Sequence, residues 1–319
     1  MGAAMAEAAI DPKVVPGKPG CALAYLRAHH DSDPHQLAHD AVAVPPTTRR
    51  LPVRRWNGAP ALVGEAMAAT EVLADEVLAD EVPVALVYNG ISHAVMLATP
   101  DDLEDFALGF SLSERIVDCR TDLYDIEVVS HGAGIELQMQ LSAAAMHRLK
   151  ASRRMRTGKT GCGLCGIESL QQFDQAIPSV PCGGILSASA LQLAMQGLCL
   201  FQDLHAATGA AHAAGWASAN GSIQLVREDV GRHNALDKLI GAMARQGIAS
   251  HSGFAVVTSR ASYEMVQKAA RAGMPLLAAV SAPTAMAVRL ADAAGLTLAG
   301  FVRAQRHVAY THPQRIAEC

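Results

Sequence analysis

Residues Gly253 to Val302 read GFAVVTSRASYEMVQKAARAGMPLLAAVSAPTAMAVRLADAAGLTLAGFV, and the order of apolar and mixed runs within them decides the fold. Gly253 to Thr258 and Leu276 to Val280 are continuous apolar stretches of strand length, as suits strands buried on both faces. Ser262 to Ala272 and Thr284 to Ala294 keep helical spacing instead. They close on Gly273 and Gly295, which can take the left-handed conformation that ends a helix. Thr297 to Val302 and His307 to Tyr310 read as final strands. Strands alternating with helices in this way predict an α/β sheet with helices packed on its faces.

Working outward, Asn234 to Arg245 reads as a helix stopped by Gly247. Before it, Ala211 to Ala217 and Ser222 to Val226 form an expected hairpin around Asn220-Gly221, and Ser189 to Leu204 an expected helix on Leu191, Met195, Leu198 and Phe201. Further upstream, Val84 to Tyr88 and Ile91 to Leu97 are joined by Asn89-Gly90, a pair that accepts the positive φ of a type I′ turn. Thr99-Pro100-Asp101-Asp102 is expected to cap a helix whose apolar stripe is Leu103, Phe106, Ala107, Phe110 and Val117. A second hairpin, Asp125 to Ser130 and Ile135 to Leu141, and a helix from Ser142 to about Met155 complete this part. The reading is an α/β chain in which a C-terminal three-layer domain follows a smaller α+β domain. Its boundaries are a flexible extension over residues 1–48, the α+β domain over 49–156, a mobile loop over 157–168 and the α/β domain over 169–319.

The 319 residues are half apolar but only 4% aromatic, a globular α/β composition. No run of about 18 uncharged apolar residues occurs, which excludes a membrane-spanning helix. The first 45 residues lack a basic start followed by an apolar core, so no secretory signal is expected. A net charge of −4 gives no global field for nucleic acid. Arg49-Arg50-Leu51-Pro52-Val53-Arg54-Arg55 is a basic stretch, and EVLAD at Glu71 to Asp75 is copied at Glu76 to Asp80, too short for a solenoid. Seven cysteines cannot all pair within the chain, and scattered thiols of this kind fit the reducing cytoplasm.

Two of those cysteines carry chemistry. Arg153 to Gly166 reads RRMRTGKTGCGLCG, placing Cys162 and Cys165 in a loop with four glycines and preceded by cations. A free thiol of pKa about 8.5 is only a few per cent thiolate at neutral pH. Arg156 and Lys159, with the N-terminus of a short helix expected at Ile167 to Phe173, would lower it toward roughly 7. Zinc needs four ligands, and only Cys182 lies near enough to join the pair, so no structural metal is expected. A thioredoxin-type centre should follow a strand, whereas this loop follows a basic helix. A zinc deaminase needs H-x-E before P-C-x-x-C, and both are missing. The remaining reading is a persulfide carrier in which Cys162 takes sulfane sulfur and Cys165 is a resolving or relay thiol. The run of six Lys and Arg from Arg148 to Lys159 lacks interleaved aromatics for base stacking, so thiolate activation or docking of an anion is the more economical role.

A second constellation lies where strands give way to helices. Asp229-Val230-Gly231-Arg232-His233-Asn234, Ser259-Arg260-Ala261-Ser262 and Ser281-Ala282-Pro283-Thr284 each precede a helix. Loops at the carboxyl ends of strands form the ligand crevice of open α/β sheets. A serine there is commonly an N-cap and a histidine commonly structural, but Arg232 and Arg260 add forked donors suited to a diphosphate.

These residues resemble a known family. Thr157 to Gly166, the run EDVGRHNALDK from Glu228 to Lys238, Ser259-Arg260 with Glu264 and Lys268, Ser281 to Thr284, Gly300 to Arg303 and Tyr310 to Pro313 are similar to the FdhD family of formate dehydrogenase accessory sulfurtransferases. The resemblance spans roughly residues 80 to 315, and the long extension and EVLAD duplication depart from it. It implies a cytidine-deaminase-like C-terminal domain without zinc chemistry. It also implies sulfur transfer from a cysteine desulfurase to bis(molybdopterin guanine dinucleotide) molybdenum, the cofactor of formate dehydrogenase, by a homodimer. Carried over by position, Cys162 is the persulfide-forming cysteine and Cys165 the second of the motif. Phe301, Val302, Arg303, Ala304, Gln305 and Arg306 form the cofactor-binding segment, beside Arg232, His233, Ser259 and Arg260. Two other classes stay open: a cofactor-binding chaperone with incidental cysteines, and a thiol-disulfide oxidoreductase.

Overall fold

The computed structural model describes residues 43–57, 70–156, 177–181, 183–303 and 306–317, all within one compact unit, Ala41–Cys319. The leader through residue 42, the loop with Cys162 and Cys165, the helix expected at Ile167 to Phe173, and Ala304 and Gln305 lie outside the described residues.

The basic stretch and the EVLAD repeat turn out to be partners. β1 (Thr48–Asn57) pairs antiparallel with β2 (Thr70–Ala79), Thr48 opposite Ala79, and Arg49 reaches Asp80 at 2.6 Å while Arg55 pairs with Glu76. β3 (Val82–Tyr88) and β4 (Ile91–Ala98) form the expected hairpin, with φ of 46° at Asn89 and 76° at Gly90. Helix α1 (Leu103–Ser113), β5 (Leu123–His131), β6 (Gly134–Leu141) and α2 (Ala143–Arg156) follow. The sheet order is β4-β3-β6-β5. Alternation buries Val84, Leu86 and Tyr88 with Leu137 and Met139 against Phe106 and Phe110 of α1 and Leu149 of α2. Val117 is buried there too, but beyond the end of α1.

The second half contains β7 (Leu186–Ser187), α3 (Ala188–Leu198), α4 (Asp203–Thr208), β8 (His212–Ser218), β9 (Ile223–Asp229) and α5 (Arg232–Gln246). The chain continues through β10 (Gly253–Val257), α6 (Tyr263–Arg271), β11 (Leu276–Ala279), α7 (Ala285–Ala294), β12 (Thr297–Arg303), β13 (Arg306–Ala309) and β14 (Ile316–Ala317). Six strands form one sheet in the order β13-β12-β11-β10-β8-β9. Both of its faces are covered. Trp216, Val257, Leu277 and Leu298 pack with α5, α6 and α7, whereas Ala217, Val256, Ala278 and Ala299 pack with α3. Each large side chain so buried contributes about 1.5–3 kcal/mol. The short strands β7 and β14 pair parallel outside this sheet, a contact too small to read from sequence.

Two local expectations give way to longer-range bonds. The single helix expected over Ser189 to Leu204 is split by a 3₁₀ turn at Cys199–Phe201, and α4 begins anew. The cause is Glu228 on β9, whose carboxylate accepts from the amides of Leu204 (2.8 Å) and His205 (2.9 Å) and so caps a new helix. Likewise Asp102 starts α1 in the left-handed region without a side-chain cap. Thr99 is occupied elsewhere: its hydroxyl accepts from Val230 N–H, its N–H donates to Asp229 and its carbonyl accepts from Lys238.

The two halves join where α1 crosses α5. A Cβ on Gly109 would overlap the backbone carbonyl of Asp237, and one on Gly241 that of Asp105. Around this contact sits a buried set of charges. Asp229, fully buried, receives Lys238 at 2.7 Å, Thr99 N–H at 3.0 Å, Gly231 N–H at 2.8 Å and the Asn234 amide at 3.0 Å. Lys268 donates to Asp237, Ser113 and Glu114 at 2.8–3.0 Å, while Ser113 donates to Asp237 at 2.6 Å. Asp105 takes Arg227 at 2.7 Å and Arg245 at 2.9 Å. Gly109→Ala is expected to destabilise the protein by about 3 kcal/mol, the upper range of over-packing, because the obstruction is backbone and cannot swing aside. Gly132→Ala, where a Cβ meets open space, should stay within about 0.5 kcal/mol in the same urea unfolding experiment.

Candidate functional site at the carboxyl edge of the main sheet

β9 and β10 both run antiparallel to β8, and β10, β11 and β12 run parallel to one another. The carboxyl ends of β9, β10, β11 and β12 therefore share one edge, and the loops after them meet there. The loops are laced side by side: Thr284 N–H donates to Ala261 O at 3.2 Å, and Phe301 N–H to Ser281 O at 3.3 Å. Thr284 also caps α7, its hydroxyl accepting from Ala287 N–H at 3.2 Å.

Each expected binding residue with described coordinates is at this edge, with different parts presented. Arg232 and His233 begin α5; Arg232 is half-buried, and its Nε has no hydrogen-bond partner. Arg260 and Arg303 are exposed. Ser259 is buried, and its hydroxyl donates to Arg260 O at 3.0 Å, so that its side chain is already engaged. Val302 faces the core beneath α3 and offers only backbone. Arg306, on β13 opposite Arg303, is exposed, with its carbonyl held by Gln192 at 3.0 Å.

Phe301 is the strained point. Its φ is +51°, in the left-handed region, at a register shift between β12 and β13, and the Arg303 guanidinium lies 5.8 Å from its ring. An aromatic residue holds this conformation at a cost of about 1–3 kcal/mol, a cost that clusters at ligand sites. Gly300 before it is required by close approach, since a Cβ would press on Tyr310, Pro283 and Ser281 O at 3.0–3.1 Å.

Comparison with known proteins settles the relationship. Residues 79–317 match the model of the FdhD/NarQ family. This chain belongs to that family. It is 56% identical over 274 residues to a protein of Cupriavidus necator named sulfur carrier protein FdhD, covering 86% of this chain and 92% of the relative. A protein of the same name from Variovorax paradoxus is 57% identical over 272 residues, covering 85% and 94%. In fold, the FdhD/NarQ chain matches a crystal structure from Desulfotalea psychrophila, of a chain held to be a formate dehydrogenase accessory protein. The TM-score is 0.62 at 22% identity, over 84% of this chain and all of the other.

The fold of this FdhD/NarQ member brings to the edge two further groups, one of them, Glu264, within the resemblance but with no role expected of it. His212 starts β8 there, its pKa lowered by burial and by Arg232. Glu264 lies on the first turn of α6, 3.9 Å from His233 Nε2. Burial opposes its ionisation, but its own backbone N–H and the Ser262 hydroxyl hold its pKa below the usual range. Their placement depends on strand direction, which no local pattern encodes. Among the described residues no cluster of three His, Cys, Asp or Glu could hold a metal, and no helix is long and apolar enough to cross a membrane.

His233 has its pKa lowered to about 4 by burial, then by Arg232 and Lys268. Its folded pKa lies below the unfolded value near 6.5, so its contribution to stability is present above about 6.5 and lost as pH falls toward 4. Asp102, raised to about 6 by burial, acts oppositely, contributing below its unfolded pKa and losing it as pH rises through 6. The clean measurement is thus the difference between wild type and His233→Asn in urea unfolding from pH 7.5 to 4. Removing the imidazole should relieve an acid penalty of roughly 1–2 kcal/mol, discounted for its one-third exposure.

Proposed function

We propose that the protein is a sulfur carrier serving formate dehydrogenase, accepting sulfane sulfur from a cysteine desulfurase and passing it to the bis(molybdopterin guanine dinucleotide) molybdenum cofactor. The observation that carries this reading is the 56% identity, spanning 92% of the relative's length, to a protein named sulfur carrier protein FdhD. Cys162 is the acceptor. Its thiolate attacks the outer sulfur of the donor's persulfide; one S–S bond breaks on the donor as one forms on Cys162, and the donor leaves as thiolate without net oxidation. Cys165 is the second thiol of the loop. Delivery transfers zero-valent sulfur that becomes sulfide, the two electrons coming from the cofactor in its reduced Mo(IV) state, and Cys162 departs as thiolate.

The cofactor is the substrate of this reaction, and its nucleotide ends are assigned to the loops at the carboxyl edge of the main sheet. Arg232, Arg260, Arg303 and Arg306 supply permanently charged forks suited to the diphosphates. Phe301 offers a partly exposed ring for stacking, and the Ser259–Arg260 and Val302–Arg303 backbones line the approach; Ala304 and Gln305 complete the segment in sequence. Holding the cofactor by remote nucleotide ends lowers the entropy cost of bringing the metal to the persulfide. The same reading assigns the C-terminal half to the cytidine-deaminase-like architecture, the working form to a homodimer and the site of action to the cytoplasm.

Full-length protein incubated with a cysteine desulfurase and cysteine should gain one sulfur atom in intact-mass spectra, reversed by reductant. Cys162→Ala should abolish both that adduct and activation of formate dehydrogenase. Retention of full activation by the Cys162→Ala, Cys165→Ala double variant would instead establish a cofactor chaperone. A reversible Cys162–Cys165 disulfide with disulfide-reducing turnover would establish an oxidoreductase.

A further inference from the structure

At the carboxyl edge His233 differs in kind from the arginines around it. The arginines there are charged at every working pH and can only donate. The His233 ring is one-third exposed, but Nε2 contributes none of that exposure and has no hydrogen-bond partner. It faces the Glu264 carboxylate at 3.9 Å, beyond hydrogen-bond range, and Glu264 instead accepts from Ser262 at 2.9 Å. The charged groups that act on the ring are Arg232 on its own helix, Lys268 and Glu264 on α6 and Glu114 after α1. The nearest carboxylate favours the tautomer with the proton on Nε2, which leaves Nδ1 as an acceptor.

We propose that His233 is a specificity residue of this edge: a neutral imidazole whose Nδ1 accepts a hydrogen bond from an uncharged donor of the ligand, a ribose hydroxyl or a base N–H, while the arginines hold the phosphates. This deepens the nucleotide-end reading above and rests on it. The bridging diphosphate of a dinucleotide carries no proton at neutral pH and offers acceptors only, so it cannot satisfy Nδ1. With two cations beside it and a pKa of about 4, the ring carries no charge at neutral pH. Glu264 is then a positioning residue that sets the tautomer.

The test is GDP and inorganic pyrophosphate binding to the full-length protein by calorimetry, across pH 5.5–8 and across salt concentration. His233→Ala should weaken GDP about 3- to 10-fold, the range of one hydrogen bond, with the salt slope and pyrophosphate affinity unchanged. His233→Asn, whose side-chain oxygen reaches the place of Nδ1, should restore most of the loss; His233→Gln should not. Arg260→Ala should weaken both ligands and flatten the salt slope. A wild-type affinity that climbs as pH falls, with a pyrophosphate loss in His233→Ala, would make His233 a phosphate contact and overturn the proposal. So would an unchanged GDP affinity in His233→Ala. Failure of wild type to bind GDP at all would overturn the nucleotide-end reading itself.

Discussion

Where α1 crosses α5, Gly109 and Gly241 leave no side chain between the helices, and each backbone rests on the carbonyls of the other. That separation allows Ser113 to reach Asp237 at 2.6 Å and Asp105 to reach Arg227 and Arg245. One methyl group in the gap would move these partners beyond bonding distance together. The helix of the small sheet and the helix of the large sheet thereby act as a single packed unit, and the start of α5 is fixed by contacts along its first three turns, from Asn234 to Gly241. Arg232 and His233 occupy that start.

Burying charge is costly, and the joint tolerates it because nearly every lone pair is used. Asp229 accepts four bonds from four different groups, and Lys238 reaches Thr99 O as well as the Asp229 carboxylate. Removing one partner of such a pair typically costs about 3–5 kcal/mol, because the other is left buried and uncompensated. The net stabilisation is smaller than that, so the network serves best to exclude other registers of α1 on α5. The run from Glu228 to Lys238 thus divides its labour. Glu228 caps α4, Asp229, Gly231, Asn234, Asp237 and Lys238 build the joint, and Arg232 and His233 stand at the carboxyl edge of the sheet.

Local signals were legible wherever one residue type has one local use. Asn89-Gly90 marked a turn of positive φ, and Gly247, Gly273 and Gly295 marked helix ends. The apolar runs of β10 and β11 marked strands buried on both faces. Signals failed where the partner is distant. Nothing near Phe201 reveals that a carboxylate at 228 will restart the helix, and nothing near Thr99 reveals that its three polar groups belong to β9 and α5. For the candidate site, Arg232, His233, Arg260 and Phe301 could be named from loop position and resemblance. Glu264 belonged to the resemblance, but its place facing His233, like the place of His212, required knowing that β8 runs against both neighbours.

The β1–β2 ribbon shows why a repeat can hide a strand. Side chains alternate faces with period two, so an odd repeat of five residues puts the second copy on the opposite face: Val72 and Val77 point apart, as do Leu73 and Leu78. The alternation that normally announces a strand is therefore absent. The repeat also leaves the register open to a slip of five residues, which would put Asp75 and Glu71 where Asp80 and Glu76 now stand beside Arg49 and Arg55. Ion pairs worth under about 1 kcal/mol each therefore do not choose between the two registers. The short link from β2, ending at Ala79, to β3, starting at Val82, fixes where the second copy lies.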